Sequence, residues 1–351
     1  MEGLDTRFSR FQESLKRVQD GRGYTLEDIV TLLKAEGEDS EALFAAAFKV
    51  REQEFGKEVY LRGIIEFSNY CSKNCLYCGI RAENSIHRYR MTIDEITAAA
   101  QDIKNAGIGT VVLQSGEDAW WSPERIMSLI KSIKEQVGIT ITLSIGERSR
   151  EEYALYREAG VERFLLKIET TSKDIFTRMH PDDCLFQRKK CSVWLKELGY
   201  MNGSGCIIGL PGQCERDLAA DILWFRDMGM DMIGVGPFVP AQNTPLENHP
   251  PGSTFMTIKT VAAIRLICRK AFLPATTALE TLEENGQLKA LKAGANVIML
   301  NYTPQTYKSN YKIYSNKKAI KLEKALETIE QAGLARVIDS NQNNQRDGSA
   351  V

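Results

Sequence analysis

Three cysteines stand close together in the stretch FSNYCSKNCLYCGI, at Cys71, Cys75 and Cys78. Thiolates are soft ligands, and three of them in one loop can surround a single centre, either an iron–sulfur cluster or zinc. A cluster held by only three protein thiolates keeps one iron open, which is what a centre that binds a substrate or cofactor requires. A zinc site would need a fourth ligand, which His87 nearby can supply, and three incidental thiols are the plainest alternative. The spacing, together with a position directly after a β-pattern, favours the cluster. Tyr77, just before the last cysteine, is placed to cover it. Two further sets bear polar chemistry. In Gln114-Ser115-Gly116-Glu117-Asp118 the glycine permits close backbone approach and the oxygens can accept from an ammonium group, although a turn before Pro123 accounts for the same residues. Thr276 and Thr277 in PATTA interrupt an apolar run with hydroxyls that need partners if buried.

These groups must be positioned by regular elements. Short apolar runs at residues 59–67, 110–113, 139–145, 163–168, 205–208, 232–235, 273–277 and 297–300 read as parallel strands. Segments 93–106, 123–137, 151–159, 189–198, 215–228, 257–268 and 282–293 between them have helical period, several stopping at a glycine. The alternation predicts an α/β fold, a (βα)8 TIM-type barrel, with a doubly wound open sheet as the alternative. In such a barrel chemistry gathers at the C-terminal strand ends, where the cysteine loop falls. Helical patterns at 4–18, 25–34 and 41–55 predict an N-terminal helical extension over residues 1–58. The barrel is expected over 59–315, with a C-terminal helix and disordered tail over 316–351.

At 351 residues, 43% hydrophobic and 26% charged, the chain has the composition of a globular protein with a sizeable core. Its 45 basic and 46 acidic residues are interspersed, so no footprint for nucleic acid or an anionic membrane is visible and small-molecule substrates are expected. With no secretory pattern and no long apolar run, a cytoplasmic location is expected, where a cysteine cluster reads as metal-binding or catalytic rather than as a disulfide framework.

The cysteine loop resembles the radical S-adenosylmethionine (SAM) superfamily, in which SAM chelates the open iron and an electron from the 4Fe-4S cluster cleaves it to a 5'-deoxyadenosyl radical. The likeness extends from Phe67 to Tyr311 through HRYRMT, VVLQSGED, ETTSKDIFTRMHP, IGLPGQ, IGVGPFVP, PATTA and NYTP. It is nearest to the HydE-type FeFe-hydrogenase maturases, with biotin synthase and methylornithine synthase as more distant kin.

The resemblance implies a 4Fe-4S cluster on Cys71, Cys75 and Cys78. It implies SAM contacts from Tyr77, Gln114, Ser115, Gly116, Glu169, Arg188, Pro237, Met299 and Tyr311, and substrate contacts from Arg163, Lys167, Thr276 and Thr277. Glu169 would accept from ribose hydroxyls, its bland reading being a helix-end charge. The substrate implied is sulfur-bearing, such as a cysteine-bound iron carbonyl cyanide complex. Expected partners are an electron donor such as a flavodoxin or ferredoxin, and other hydrogenase maturation proteins. Two departures stand out. Lys167-Ile168 replaces the maturase pattern's Arg-His, removing a bidentate fork and an imidazole, and no second cysteine set lies near 319–330. A radical mutase of the methylornithine synthase or biotin synthase kind is the alternative enzyme, and a zinc-stabilised scaffold barrel the alternative outside enzymes. The remaining five cysteines are expected to be packing residues.

Overall fold

The computed structural model describes residues 2–338, with side chains from residue 10 onward. The tail expected beyond 338 lies outside the described residues. Among the described residues eleven strands occur: β1 (Glu58–Ser68), β2 (Thr110–Ser115), β3 (Thr140–Ser144), β4 (Arg163–Leu165), β5 (Met201–Ser204), β6 (Ile207–Ile208), β7 (Met232–Ile233), β8 (Gly236–Pro237), β9 (Pro274–Ala275), β10 (Val297–Asn301) and β11 (Ala335–Arg336). Eight of them form an all-parallel wall in the order β7-β5-β4-β3-β2-β1-β10-β9. One parallel bridge, Met232 to Phe272, joins the two ends and closes the barrel. β11 pairs with the start of β1, and β6 pairs with β8 above the main wall.

The helices are α1 (Glu2–Asp20), α2 (Leu26–Leu33), α3 (Glu38–Phe55), α4 (Ile93–Asn105), α5 (Pro123–Gln136), α6 (Arg150–Glu158), α7 (Lys173–Met179), α8 (Leu185–Glu197), α9 (Glu215–Met228), α10 (Thr254–Ile267), α11 (Thr277–Leu282), α12 (Gly286–Lys292), α13 (Gln305–Lys308) and α14 (Leu322–Gln331). Capping explains where several begin. Thr92 accepts from the Glu95 amide while the Glu95 carboxylate accepts from the Thr92 amide, and Ser149 and Glu152 repeat this reciprocal pair at α6. After α4 the chain turns at Gly107 with φ +69°, a left-handed conformation that side chains disfavour.

The strands bury both faces, as parallel strands under helices must, and one continuous apolar cluster runs from Phe11 on α1 to Leu334 before β11. α2 and α3 pack on α9 and α10. Two arginines within this core have no carboxylate partner among the described residues. Arg51 donates to the carbonyls of Ala295, Gly56 and Glu58, and Arg265 donates to that of Gly294 and to Asn296 Oδ1. Each pins chain ends where helices finish and strands begin.

Four strand expectations need correction. The strand expected over 163–168 ends at Leu165, and that over 232–235 ends at Ile233. The fifth wall strand is Met201–Ser204 rather than 205–208, because Gly203 and Ser204 pair with β7 while residues 207–208 leave the wall to pair with β8. The strand expected over 273–277 ends at Ala275, since Thr276 caps α11 and Thr277 is its first residue.

Candidate active site

The long β1 ends at Ser68, and the cysteine loop that follows is shaped by side chains bonding its backbone. Buried Asn69 accepts from the Tyr89 amide and donates to the carbonyls of His87 and Asn310. Arg88 donates to the carbonyls of Asn69, Ile80, Arg81 and Asn84, gathering both ends of the loop around one guanidinium. Cys71 Sγ accepts from the amides of Lys73 (3.5 Å) and Glu117 (3.4 Å), and the Leu76 amide donates to the Met179 carbonyl. Gly116 sits so close that a Cβ there would lie 2.3 Å from the Tyr70 carbonyl oxygen and 2.6 Å from Cys71 Cβ. The glycine of SGED is therefore a seat for the cysteine loop.

Cys71, Cys75 and Cys78 face a cavity of about 440 Å³ at the C-terminal end of the barrel. Burial pushes the Cys78 thiol up to about 12 and raises Cys75 and Cys71 as well, and each neighbouring thiolate would add to the effect. Such thiols ionise on binding a cation. Among the described residues no three His, Cys, Asp or Glu groups converge as one metal ion requires, and His87 is exposed with its carbonyl taken by Asn69. A single zinc closed by His87 does not fit this arrangement. Thiols spread around a cavity suit a polynuclear group in which each iron takes one thiolate.

Every expected site residue lines this cavity except Arg163. Tyr77 is held by His180, whose Nε2 lies 2.8 Å from its hydroxyl while the imidazole stacks on Phe176. Burial, with Arg188 nearby, lowers His180 to about 4, so the ring is neutral at pH 7. Glu169 follows β4 in a left-handed conformation (φ +63°), its amide donating to Gly205 and its carbonyl accepting from Ile207, and Lys167 Nζ lies 2.8 Å from Oε2. Arg188 is ringed by carboxylates. Glu147 lies 2.7 Å from Nε, Asp183 pairs with the same guanidinium, and Glu117 stands at 3.7 Å, while Lys73 bridges Glu117 and Asp183. Burial raises Glu147 to about 7 despite Arg188, whereas for Asp183 burial is overcome by Arg188, the Cys184 amide and Lys73 acting together, which hold it below the ordinary range. Tyr311 is buried and lines the cavity together with Gln114. Thr276 Oγ1 is buried with no hydrogen-bond partner among the described residues, beside the backbone of Gly236, and Met299 and Pro237 complete the apolar wall.

Arg163 was expected at the substrate and is not there. As the first residue of β4 it lies at the opposite, N-terminal end of the barrel, where it donates to Thr110 Oγ1 alongside Arg62. Ile168 is likewise turned into the core, its amide bonded to Ser204 Oγ, so of the Lys167-Ile168 pair only Lys167 reaches the cavity. Sequence reasoning overlooked Glu66 and His180, and Glu147 and Asp183 beside Arg188. Glu66 lines the cavity, 1% exposed, accepts from Asn301 Nδ2 at 2.8 Å and pairs with Lys317. Its signal was an acid, four residues after Arg62, inside a strand pattern that is mostly apolar.

Residues 65–225 match the profile described as Radical SAM superfamily, and residues 235–335 that of the Biotin and Thiamin Synthesis associated domain. The chain is 44% identical over 279 residues to the [FeFe] hydrogenase maturase subunit HydE of Thermotoga maritima, covering 79% of this chain and 80% of that one. It is 32% identical to a 3-methylornithine synthase of Methanosarcina barkeri, covering 80% and 81% of the two chains. Among solved structures, methylornithine synthase superposes with a TM-score of 0.83 at 28% identity, over 92% of this chain and 97% of that one. The hydrogenase maturase HydG reaches the same score at 21% identity, which bears on the fold alone.

Proposed function

The chain belongs to the radical SAM superfamily, whose 4Fe-4S cluster and SAM it uses, and from that premise we propose that it acts as a HydE-type maturase on a sulfur-bearing small molecule in FeFe-hydrogenase assembly. The observation that carries this reading is 44% identity with a HydE maturase over 279 residues, 79% of this chain and 80% of that one. The chemistry supplied by the bound pair is reductive cleavage of the sulfonium, one electron giving methionine and a 5'-deoxyadenosyl radical.

This chain's residues do the rest. Cys71, Cys75 and Cys78 hold the cluster, and the Arg88 and Asn69 bonds keep the loop in its binding shape. Tyr77, fixed by His180, covers one side. The backbone at Ser115 and Gly116, with Gln114, takes the amino-acid part of SAM, and Arg188 attracts its carboxylate from within a ring of acids that keeps the cation in place. Glu169 accepts from the ribose hydroxyls, and Pro237, Met299 and Tyr311 exclude water from the nucleoside. Lys167, Thr276 and Thr277 face the substrate, Thr276 through a hydroxyl still lacking a partner. Among the described residues no helix is long and apolar enough to cross a membrane. A flavodoxin or ferredoxin supplies the electron.

The test is a reconstituted maturation of FeFe-hydrogenase in which this chain replaces the known maturase. Active hydrogenase supports the reading. Vigorous SAM cleavage with no active hydrogenase would reassign the substrate. The second reading is a mutase of the methylornithine synthase kind, favoured by 32% identity with a 3-methylornithine synthase over 288 residues, and formation of 3-methylornithine would establish it.

A further inference from the structure

Beside the central cavity lies a second one of about 360 Å³, under residues 308–319. Lys308, Lys312, Lys317 and Lys318 line it, and no aspartate or glutamate does. The chain as a whole carries a net charge of -1 with its charges interspersed, so four lysines around one concavity form a local excess that draws anions. Among the described residues, neither Lys312 nor Lys318 has a carboxylate within ion-pair distance, and Lys308 Nζ donates to the Asn301 carbonyl at 2.9 Å.

The two cavities share a wall. Asn301, Tyr311, Tyr314, Lys317 and Lys318 border both, and Glu66 faces the central one alone. Lys317 therefore spans the boundary, its ammonium on Glu66 and its stem in the lysine-lined space. The floor is fixed to the cysteine loop, for the Gly79 amide donates to the Ile313 carbonyl at 3.0 Å and a Cβ at Gly79 would lie 2.0 Å from the Lys312 carbonyl oxygen.

We propose that the second cavity is an anion-binding vestibule that takes carboxylate-bearing small molecules from solvent and delivers them to the central cavity, with Lys317 leaving Glu66 for the incoming carboxylate. Exchange of one carboxylate for another keeps the ammonium paired, so passage never strands Lys317 as an isolated buried charge. Glu66 keeps its bond from Asn301 meanwhile and is free to accept from an ammonium group on the same molecule. The vestibule thus suits amino-acid-like ligands, which carry both charges.

This inference rests on the proposed function for its choice of probe, a sulfur-bearing amino acid, but is measured without turnover. Anaerobic calorimetry on the protein loaded with cluster and SAM compares L-cysteine with its methyl ester, which lacks the carboxylate charge. The free acid should bind more tightly than the ester. Lys312→Gln with Lys318→Gln should weaken the acid roughly tenfold and leave the ester unchanged, as loss of charge-assisted contacts requires, and arginine at both positions should restore the acid. Equal affinity for acid and ester in the natural protein would overturn the proposal. So would unchanged acid binding in the glutamine pair, or a parallel fall for both probes, which would mark a structural role. Failure to mature hydrogenase with this binding pattern intact would remove the proposed function alone, and the converse result would remove the vestibule alone.

Discussion

The two halves of the barrel are built differently. β1, β2 and β3 run for 11, 6 and 5 residues in long ladders, shifted in register only between Glu66 and Ser68, and the loops at their ends carry contiguous motifs, FSNYCSKNCLYCGI and SGED. From β4 to β9 no strand exceeds 4 residues, the wall closes on a single bridge, and the rim is assembled from single groups such as Glu169, Pro237 and Thr276. A long ladder fixes a loop as a unit, so damage there should be all-or-none. A rim of separate side chains should fail by degrees.

The largest effect is expected in the first half. Cys78→Ala removes one of three thiolates and should abolish the 4Fe-4S content, measured as bound iron and acid-labile sulfide. Gly116→Val comes next, since its Cβ would press on the Tyr70 carbonyl and Cys71. Most of the cluster should be lost while the far-ultraviolet circular dichroism of the barrel persists, and full cluster content would show that the seat yields. In the second half, Glu169→Gln keeps the shape and weakens a charge-assisted bond. SAM affinity in equilibrium binding should fall by about 1 to 3 kcal/mol with the cluster intact, and an unchanged affinity would make Glu169 a partner of Lys167 only.

The smallest effect concerns how the second rim is held. Asp221 on α9 accepts from both the amide and the hydroxyl of Thr171, and burial raises its carboxyl to about 7. A folded-state value above the unfolded 3.8 means that the native state binds the extra proton, so this group stabilises the fold at low pH and the contribution is lost as pH rises from about 4 through 7. The slope is at most about 1.4 kcal/mol per pH unit. Asp221→Asn keeps the acceptor for Thr171 and should flatten that part of the curve of denaturant stability against pH. An identical curve in the variant would place the pH dependence elsewhere.

The same contrast explains what the sequence disclosed. Parallel strands buried on both faces are apolar runs, and the glycine after α4 marks a left-handed stop, so the eight-stranded barrel was legible. The cysteine loop was legible because its ligands are neighbours in the chain. Arg163 was expected beside the cavity because resemblance aligns positions without saying which way a side chain points. Arg163 opens its strand at the far end of the barrel, and Ile168 turns inward where the neighbouring Lys167 turns out. The fifth strand was set too late because the apolar pair at 207–208 looks more strand-like than Met201–Ser204, whose Asn, Gly and Ser are accepted through pairing with neighbours far away in sequence. Asp183, Glu147 and Glu117 converge on Arg188 from three separate loops, and no local pattern announces such a meeting.

The central claim is that this cavity holds a 4Fe-4S cluster and SAM for reductive cleavage. Its most direct test is chromatographic quantification of 5'-deoxyadenosine after anaerobic reduction of the reconstituted protein with SAM. The account predicts 5'-deoxyadenosine and methionine in equal amounts from the natural protein and none from Cys78→Ala. Absence of 5'-deoxyadenosine from protein with full cluster content, or equal formation by the variant, would contradict it.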